Sequence, residues 1–290
     1  MQSFLLFSEF MTISLSYLGP TGTYSENAAK AYGKWLQKNR QQKFTLVPQP
    51  SIAMALDAIV RRKVDYGVVP VENSIEGTVN ITLDTLWQEN SLQIFRGLTI
   101  PIVHSLLSYN SALENLQTVY SHPQALGQCQ KWLAKNLPQV QLVAANSTTE
   151  ALKLLKEDRS TGAISSASAA QIYQVPVLSL GINDRPDNCT RFLVIGHKTG
   201  TVGSYISLAF SLEKNTSGAL VKPLQMFARR NINLTKIESR PTKRSLGEYI
   251  FFIELEGSLK ETKIQECLEE LKQYTEVIKV FGNYDLISVN

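Results

Sequence analysis

The sequence predicts two domains: a two-lobed α/β domain, followed by a smaller α+β domain with the ferredoxin-like order βαββαβ. Two observations predict this fold class. Between residues 12 and 200, strand-like and helix-like segments alternate in two blocks that resemble each other. From about residue 204 the order changes to strand, helix, two strands, helix and strand. A length of 290 residues also suits two domains of ordinary size.

The first block opens with a strand and a glycine-containing turn. Residues 12–18 alternate in polarity and are rich in β-forming residues, and the turn at 19–25 precedes a segment of helical composition. The same order recurs as QTVYS, HPQALG and QCQKWLAKN between residues 117 and 136. Because strands and helices alternate in this way, we expect a parallel α/β sheet.

The resemblance between the two blocks extends beyond these openings. Ser51 starts a helix-like segment that leads into a short apolar strand, and Ser147 starts another segment of the same kind. When Ser51 is aligned with Ser147, Gly67 also aligns with Gly162 after a one-residue gap. We therefore expect two similar lobes that face each other across a cleft.

The join between the domains falls at residues 197–204, HKTGTVGS, which are polar and contain glycine as linkers do. We place the first domain at residues 12–200 and the second at residues 204–290. The elements predicted for the second domain are a strand at 206–212, a helix at 218–231, strands at 232–241 and 247–257, a helix at 261–274 and a strand at 277–284.

Composition excludes several classes of protein. With 43% hydrophobic and 19% charged residues, the chain is typical of a soluble globular protein. A net charge of +4 is too small for the basic face that nucleic-acid binding needs. The three cysteines are far apart, which argues against disulfides and zinc and favours a reducing compartment.

Residues 1–10 lack the features of a signal peptide, so we expect them to be an extension of a cytoplasmic protein without a membrane span.

Four polar clusters lie where predicted strands end, at residues 19–23, 70–77, 121–128 and 188–192. Free backbone N–H groups and the helix dipole make such positions favourable for anions, and ligands bind at this edge of open α/β sheets. The sequence therefore predicts a pocket for a small anion such as a carboxylate. Arg191 is the candidate for a bidentate contact with it.

Structural roles would also explain each cluster. Ser25 could cap the first helix, Ser121 could cap the helix that starts at Pro123, and Asn73 with Ser74 could close a turn. The chain lacks the phosphate-loop, dinucleotide, nucleophile-elbow and zinc-helix signatures, and it contains only three histidines. Any chemistry would therefore rely on hydroxyls, amides, an arginine and one carboxylate.

Taken together and in order, four segments resemble the prephenate dehydratase family: Tyr17–Glu26, Val69–Gly77, Ser121–Cys129 and Asn188–Phe192. The tail resembles the ACT regulatory domain of that family, and the similarity covers about residues 13–285. The resemblance implies a catalytic domain with two lobes like those of type-II periplasmic binding proteins. It implies a hydro-lyase that converts prephenate to phenylpyruvate, with loss of water and carbon dioxide, in L-phenylalanine biosynthesis. It implies no cofactor and no metal, and the monofunctional form of the enzyme.

The resemblance also implies roles for individual residues. Thr190 is the leading candidate to donate a proton or hydrogen bond to the ring hydroxyl of prephenate, and Arg191 would bind a substrate carboxylate. Glu72 is the alternative acid if it is buried in the site. The other residues that match positions lining the family's site are Asn73, Ser121 and Gln128 as catalytic candidates, and Thr23, Ser74 and Phe192 as substrate-binding candidates.

For the ACT domain, the resemblance implies that phenylalanine binds between two such domains of a homodimer or homotetramer and inhibits the distant active site. Two other functions remain open: an arogenate dehydratase, whose substrate carries an amino group in place of the keto group, and a non-enzymatic amino-acid sensor. The predicted effector-binding residues are Gly218, Ala219, Leu220, Glu238, Ser239, Arg240 and Pro241.

Overall fold

A computed structural model describes residues 12–156, 158–197 and 202–288. The expectation for residues 1–10 lies outside these ranges, as do residues 198–201 of the predicted linker and the last two residues. In the first domain the chain forms the strands and helices β1 (Ile13–Leu18), α1 (Tyr24–Arg40), β2 (Phe44–Gln49), α2 (Ile52–Val60), β3 (Tyr66–Asn73), β4 (Gly77–Thr78), α3 (Asn80–Gln88), β5 (Gln93–Pro101), β6 (His104–Leu107), β7 (Thr118–Ser121), α4 (Pro123–Gly127), α5 (Gln130–Asn136), β8 (Gln141–Ala144), β9 (Thr161–Ser166), α6 (Ala167–Tyr173), β10 (Val177–Leu180) and β11 (Cys189–Gly196).

The first domain has two lobes, each built on its own sheet. The strand order in the first lobe is β2-β1-β3-β11-β5, and the order in the second lobe is β8-β7-β9-β6-β10. In each lobe three parallel strands follow one another in the same spatial order, β2-β1-β3 in one and β8-β7-β9 in the other. The topology thus repeats as the internal similarity of the sequence predicts, and the two-lobed α/β class is confirmed.

The prediction of a fully parallel sheet is wrong for both lobes. Strand β11 runs antiparallel to β3 and β5, and β6 runs antiparallel to β9 and β10. The reason is that the chain crosses between the lobes twice, once after β5 and once before β11, so that the crossing strands enter each sheet from the opposite end. These two crossings form the hinge, where the backbone N–H of Ile102 donates to the carbonyl of Asn188 at 2.8 Å.

One predicted helix differs in kind from the one observed. The segment that starts at Ser147 forms a capped turn followed by a 3-10 helix over Ala151–Lys156, whereas its counterpart after Ser51 forms the regular helix α2. In both segments the serine hydroxyl accepts a hydrogen bond from the backbone N–H three residues later. The two lobes therefore share the start of this segment although the helix type differs.

The second domain has the predicted order βαββαβ. Its strands form an antiparallel sheet in the order β13-β14-β12-β15, and both helices pack against one face through Phe227 and Leu271. Its elements are β12 (Tyr205–Ser211), α7 (Val221–Arg229), β13 (Leu234–Pro241), β14 (Tyr249–Glu256), α8 (Thr262–Leu271), a 3-10 helix (Lys272–Tyr274) and β15 (Val277–Ile287).

The last strand joins the two domains. Strand β15 continues three residues beyond the predicted end at 284, and Asp285–Ile287 pair in parallel with Arg96–Leu98 of β5. The sheet of the first lobe and the sheet of the second domain therefore form one continuous ten-stranded sheet. Because strand pairing is directional, this junction fixes how the small domain sits against the first lobe. Among the described residues, no helix is long and apolar enough to cross a membrane.

Candidate active site

A cavity of about 580 Å³ lies between the two lobes, at the level of the hinge. It receives the ends of strands and the starts of helices from both lobes, as expected for a ligand site in an open α/β fold. Its polar lining residues are Thr23, Tyr24, Ser25, Asn73, His104, His122, Gln124, Gln128, Asn146, Ser147, Thr148, Glu150 and Thr190.

Thr190 and Asn73 form the polar centre of the first-lobe wall. They are directly opposite each other on the neighbouring strands β11 and β3, and both side chains are buried. The side-chain oxygen of Asn73 accepts hydrogen bonds from the backbone N–H groups of Ile75 (2.9 Å) and Glu76 (3.0 Å). This fixes the orientation of the amide, so its nitrogen must face Thr190, to whose Oγ1 it donates at 2.9 Å.

The direction of that hydrogen bond determines what Thr190 can do. Because Oγ1 accepts from Asn73, the hydroxyl proton of Thr190 is free to point elsewhere. Among the described residues the Thr190 hydroxyl has no other hydrogen-bond partner, and its side chain lines the cavity. Thr190 is therefore a hydrogen-bond donor to whatever occupies the cavity.

A histidine from the second lobe lies at the other end of the polar wall. His104 is buried, and its Nε2 is 2.9 Å from Oε1 of Gln128. Burial lowers the pKa of His104 below its usual value, although the hydrogen bond with Gln128 opposes this effect. The ring is therefore neutral at neutral pH. Burial also raises the pKa of Tyr24, whose hydroxyl lies 3.3 Å from Nδ1 of His104.

Capped turns from both lobes supply N–H groups to the cavity. Thr23 caps α1 by accepting from the backbone N–H of Glu26 at 3.2 Å, and Ser147 caps the turn in the second lobe. The first N–H groups of such turns have no acceptor within the helix and attract anions. Among the described residues that line the cavity, none is a lysine or an arginine. An anionic ligand would therefore be held by N–H and hydroxyl groups.

Five of the residues predicted for the site line this cavity: Thr23, Asn73, Gln128, Thr190 and Phe192. Two others lie behind its wall. Ser121 is buried in the second lobe and donates to the carbonyl of Ile164 at 2.7 Å. Ser74 is exposed, and its hydroxyl joins the ends of β3 and β11 by accepting from the N–H of Cys189 at 3.0 Å. In this structure both serines form hydrogen bonds with the backbone, and neither lines the cavity.

The position of Arg191 corrects the expectation that it binds a substrate carboxylate. Side chains alternate along a strand, so Arg191 points to the face of the sheet opposite Thr190. There its guanidinium forms an ion pair with the buried carboxylate of Glu254 on β14, and it donates to the hydroxyl of Tyr284 on β15 at 3.0 Å. Arg191 thus connects the first lobe to the second domain.

Glu72 lies on the same face as Arg191 and outside the cavity. Its carboxylate forms an ion pair with Lys236 of β13 at 3.1 Å, and 38% of its side chain is exposed. The condition under which Glu72 was the alternative acid, burial in the site, is not met. Of the two candidates, Thr190 alone reaches the cavity.

The predicted effector-binding residues fall into two groups that no hydrogen bond connects within the described part of the chain. Gly218, Ala219 and Leu220 precede α7 and are exposed or half-buried, with Gly218 at a φ of 77°. Glu238, Ser239, Arg240 and Pro241 lie on β13, the edge strand of the ten-stranded sheet. Two of these side chains contact the first lobe: Glu238 accepts from Thr78 at 3.1 Å, and Arg240 forms a two-pronged ion pair with Asp84.

Several lining residues were not predicted from the sequence. The most notable are His104, Tyr24 and the turn at 147–150, all of which line the cavity. The internal similarity carried a signal for the turn, because Ser147 aligns with Ser51, whose neighbour Ile52 lines the same cavity in the first lobe. Within the described ranges, no cluster of histidine, cysteine and acidic residues could hold a metal ion.

Comparisons with known proteins agree with this architecture. The model of the prephenate dehydratase family matches residues 15–200, and that of the ACT domain matches residues 206–273. The chain is 37% identical over 280 residues to the prephenate dehydratase of Methanocaldococcus jannaschii, covering 94% of this chain and 98% of that protein. It is 41% identical over 274 residues to the bifunctional chorismate mutase/prephenate dehydratase of Aquifex aeolicus, covering 94% and 73%.

A solved structure supports the same conclusion. The prephenate dehydratase of Arthrobacter aurescens, crystallised in complex with L-Phe, superposes with a TM-score of 0.84 at 29% identity, covering 94% of this chain and 90% of that one. The chain therefore belongs to the prephenate dehydratase family. It combines the dehydratase domain with an ACT domain, and the resemblance noted in the sequence is confirmed.

The position of Arg191 predicts how its loss affects the protein. Arg191→Met leaves the buried Glu254 carboxylate without its cation and should lower the free energy of unfolding by about 3 kcal/mol, as should Glu254→Gln. The double variant should lose much less free energy of unfolding than the sum of the losses in the two single variants. Denaturant unfolding of the four proteins measures this coupling, and KM for prephenate should stay within about twofold in Arg191→Met. A tenfold rise in KM with additive stability losses would restore Arg191 as a substrate ligand.

Proposed function

We propose that the chain converts prephenate to phenylpyruvate in the cavity between the lobes, with Thr190 as the hydrogen-bond donor to the departing ring hydroxyl. The observation that carries this proposal is the hydrogen bond from Asn73 to Oγ1 of Thr190, which leaves the hydroxyl proton directed away from Asn73. Family membership supplies the reaction class, and the geometry supplies the group that would assist it.

The reaction requires little from the protein besides binding and charge stabilisation. The C–O bond to the ring hydroxyl and the C–C bond to the ring carboxylate break, and the electron pair of the C–C bond completes the aromatic ring. Carbon dioxide leaves, and the departing hydroxide takes up a proton to become water. A threonine hydroxyl is a weak acid, so Thr190 stabilises the leaving oxygen by a hydrogen bond while the proton comes ultimately from solvent.

The two carboxylates of prephenate match the other polar features of the cavity. The N–H groups at the starts of α1 and of the turn at 147–150 come from opposite lobes, so each lobe can bind one carboxylate. A carboxylate held in this way is not neutralised by a fixed cation, which favours loss of carbon dioxide from the ring carboxylate. Neutral His104 adds no charge to the wall.

We also propose regulation by phenylalanine, which the ACT domain and the L-Phe complex of the Arthrobacter relative support. Gly218–Leu220 and Glu238–Pro241 are distant in the hydrogen-bond network of one chain, so two ACT domains would complete one binding site. The exposed edge of β13, with Ile237 half-exposed, is the surface at which a homodimer or homotetramer would pair.

The protein would act in the cytoplasm, with a catalytic domain at residues 12–200 and an ACT domain at residues 204–290.

The role of Thr190 predicts a difference between two conservative variants. Thr190→Val keeps the shape but removes the donor, so kcat for prephenate should fall by about 10²–10³-fold, with KM little changed. Thr190→Ser keeps the hydroxyl and should retain kcat within about tenfold. The absorbance of the product phenylpyruvate in alkali measures kcat for both variants. Near-normal turnover by Thr190→Val would remove Thr190 from the chemistry, and faster turnover of arogenate than of prephenate would change the substrate.

The proposed effector site predicts a selective loss of inhibition. L-phenylalanine should suppress prephenate turnover by the wild-type protein, and Gly218→Val should abolish this inhibition while uninhibited turnover persists. Gly247→Val is the matched control, because Gly247 also has a positive φ and lies in the same domain but outside both motifs. Equal loss of inhibition in the two variants would show that strain in the domain, and not the motif, is responsible.

A further inference from the structure

We infer that Asn188, buried at the hinge, is a positioning residue: it carries the hydrogen-bond polarity that is fixed at Asn73, beside Thr190 in one lobe, across to Gln128 and His104 in the other. This inference rests on the proposed function only where it concerns turnover. It concerns a residue that touches neither the cavity surface nor the substrate: Asn188 is 1% exposed.

The side-chain amides of Asn73, Asn188 and Gln128 form a chain of hydrogen bonds in which each amide nitrogen donates to the oxygen of the next amide. Nδ2 of Asn188 donates to Oε1 of Gln128 at 2.9 Å, and its Oδ1 accepts from Nδ2 of Asn73 at 3.0 Å. Oδ1 also accepts from the hydroxyl of Ser74 at 3.2 Å. Every polar atom of the Asn188 side chain is therefore used, and each partner uses the group complementary to it.

The direction of this chain is determined at one end. Oδ1 of Asn73 accepts from two backbone N–H groups, which can only donate, so the nitrogen of Asn73 must face Asn188 and Thr190. Asn188 must then present its oxygen to Asn73 and its nitrogen to Gln128. Gln128 must in turn present its oxygen, which accepts from Asn188 and also faces Nε2 of His104 at 2.9 Å.

The same logic fixes the proton on His104. Since Oε1 of Gln128 can only accept, Nε2 of His104 must carry the hydrogen. In a neutral ring Nδ1 is then unprotonated, and it lies 3.3 Å from the hydroxyl of Tyr24, which donates its proton to the carbonyl of Val103 at 2.8 Å. A neutral Nε2–H histidine is consistent with the lowered pKa of this buried ring. The tautomer of His104 thus reports the direction of the hydrogen bonds in the amide chain, whose other end is at Thr190.

The location of Asn188 explains why this residue can hold both ends. It lies in the second crossing between the lobes, directly before β11, and its carbonyl accepts from Ile102 in the first crossing. Asn73 and Thr190 belong to the first lobe, whereas His104 and Gln128 belong to the second. Asn188 therefore links the polar groups of the two lobes at the point where the lobes are joined.

Asn188→Asp tests the inference, because it keeps the size of the side chain but replaces the donor with an acceptor. One oxygen of the new carboxylate should still accept from Asn73, but the other would face Oε1 of Gln128. Gln128 should then rotate its amide by half a turn, giving up the contact of its nitrogen with the Glu76 carboxylate (3.4 Å), and present that nitrogen both to the new carboxylate and to His104. His104 should consequently move its proton from Nε2 to Nδ1, where the Tyr24 hydroxyl can accept it.

The first readout is the ¹⁵N NMR spectrum of the imidazole nitrogens. The chain has three histidines, so His104 can be assigned by its loss in His104→Gln. The wild-type protein should show the Nε2–H tautomer, and Asn188→Asp the Nδ1–H tautomer. Asn146→Asp is the control for charge, since it adds a carboxylate to the same cavity outside the amide chain and should leave the tautomer unchanged. A wild-type His104 with its proton on Nδ1 would overturn the inference.

The second readout is turnover. Asn188→Asp should lower kcat for prephenate by about 10²-fold, because a carboxylate at this position attracts the Asn73 amide more strongly than the Asn188 oxygen does and so draws that amide away from Thr190. In a Thr190→Val background the same change should cause no further loss, since the group through which Asn188 acts is already absent. Losses that multiply in the double variant would overturn the positioning role. A wild-type protein that shows the Nε2–H tautomer but does not turn over prephenate would refute the proposed function while supporting the polarity of the wall.

Discussion

The active site depends on the orientation of one amide group. Two backbone N–H groups in the turn after β3 hold the oxygen of Asn73, and this leaves its nitrogen to face Thr190 across the pair β3–β11. A hydroxyl that accepts one hydrogen bond in a buried site becomes a better donor for the next one. The turn chemistry of residues 73–76 therefore leaves the hydroxyl proton of Thr190 free to point into the cavity, and no lysine or arginine is present in the described part of the lining.

Two successive residues of strand β11 contribute to the cavity between the lobes and to the interface with the ACT domain. Its alternation directs Thr190 into the cavity between the lobes and Arg191 into the interface with the ACT domain, where Arg191 pairs with Glu254. Strand β14, which carries Glu254, is paired in turn with β13, which carries Glu238–Pro241. The ACT sheet is therefore connected by the Arg191–Glu254 ion pair to the strand that carries Thr190. The continuous ten-stranded sheet makes this connection rigid.

The sequence was sufficient for the architecture and for part of the site. Period and composition indicated both domains, and the strand-end clusters located segments of the site, because polar residues after a buried strand must meet at one sheet edge. Within these segments, the resemblance to the prephenate dehydratase family singled out Asn73, Gln128 and Thr190. The main failure concerned the face of the sheet on which a side chain lies. Arg191 adjoins Thr190 in strand β11, so the two side chains point to opposite faces and only one of them can line the cavity. His104 was missed because a single histidine at the start of a strand has no local pattern. Its partners Gln128 and Tyr24 come from distant segments.

The kcat of Asn73→Asp with prephenate tests most directly whether the Asn73 amide sets the donor direction of Thr190. The aspartate can still accept from the two backbone N–H groups, but its second oxygen would accept from the Thr190 hydroxyl and so draw the proton away from the cavity. We expect a fall in kcat comparable to that of Thr190→Val, about 10²–10³-fold, with the fold intact. Turnover by Asn73→Asp within a few-fold of the wild-type value would contradict this role of the amide.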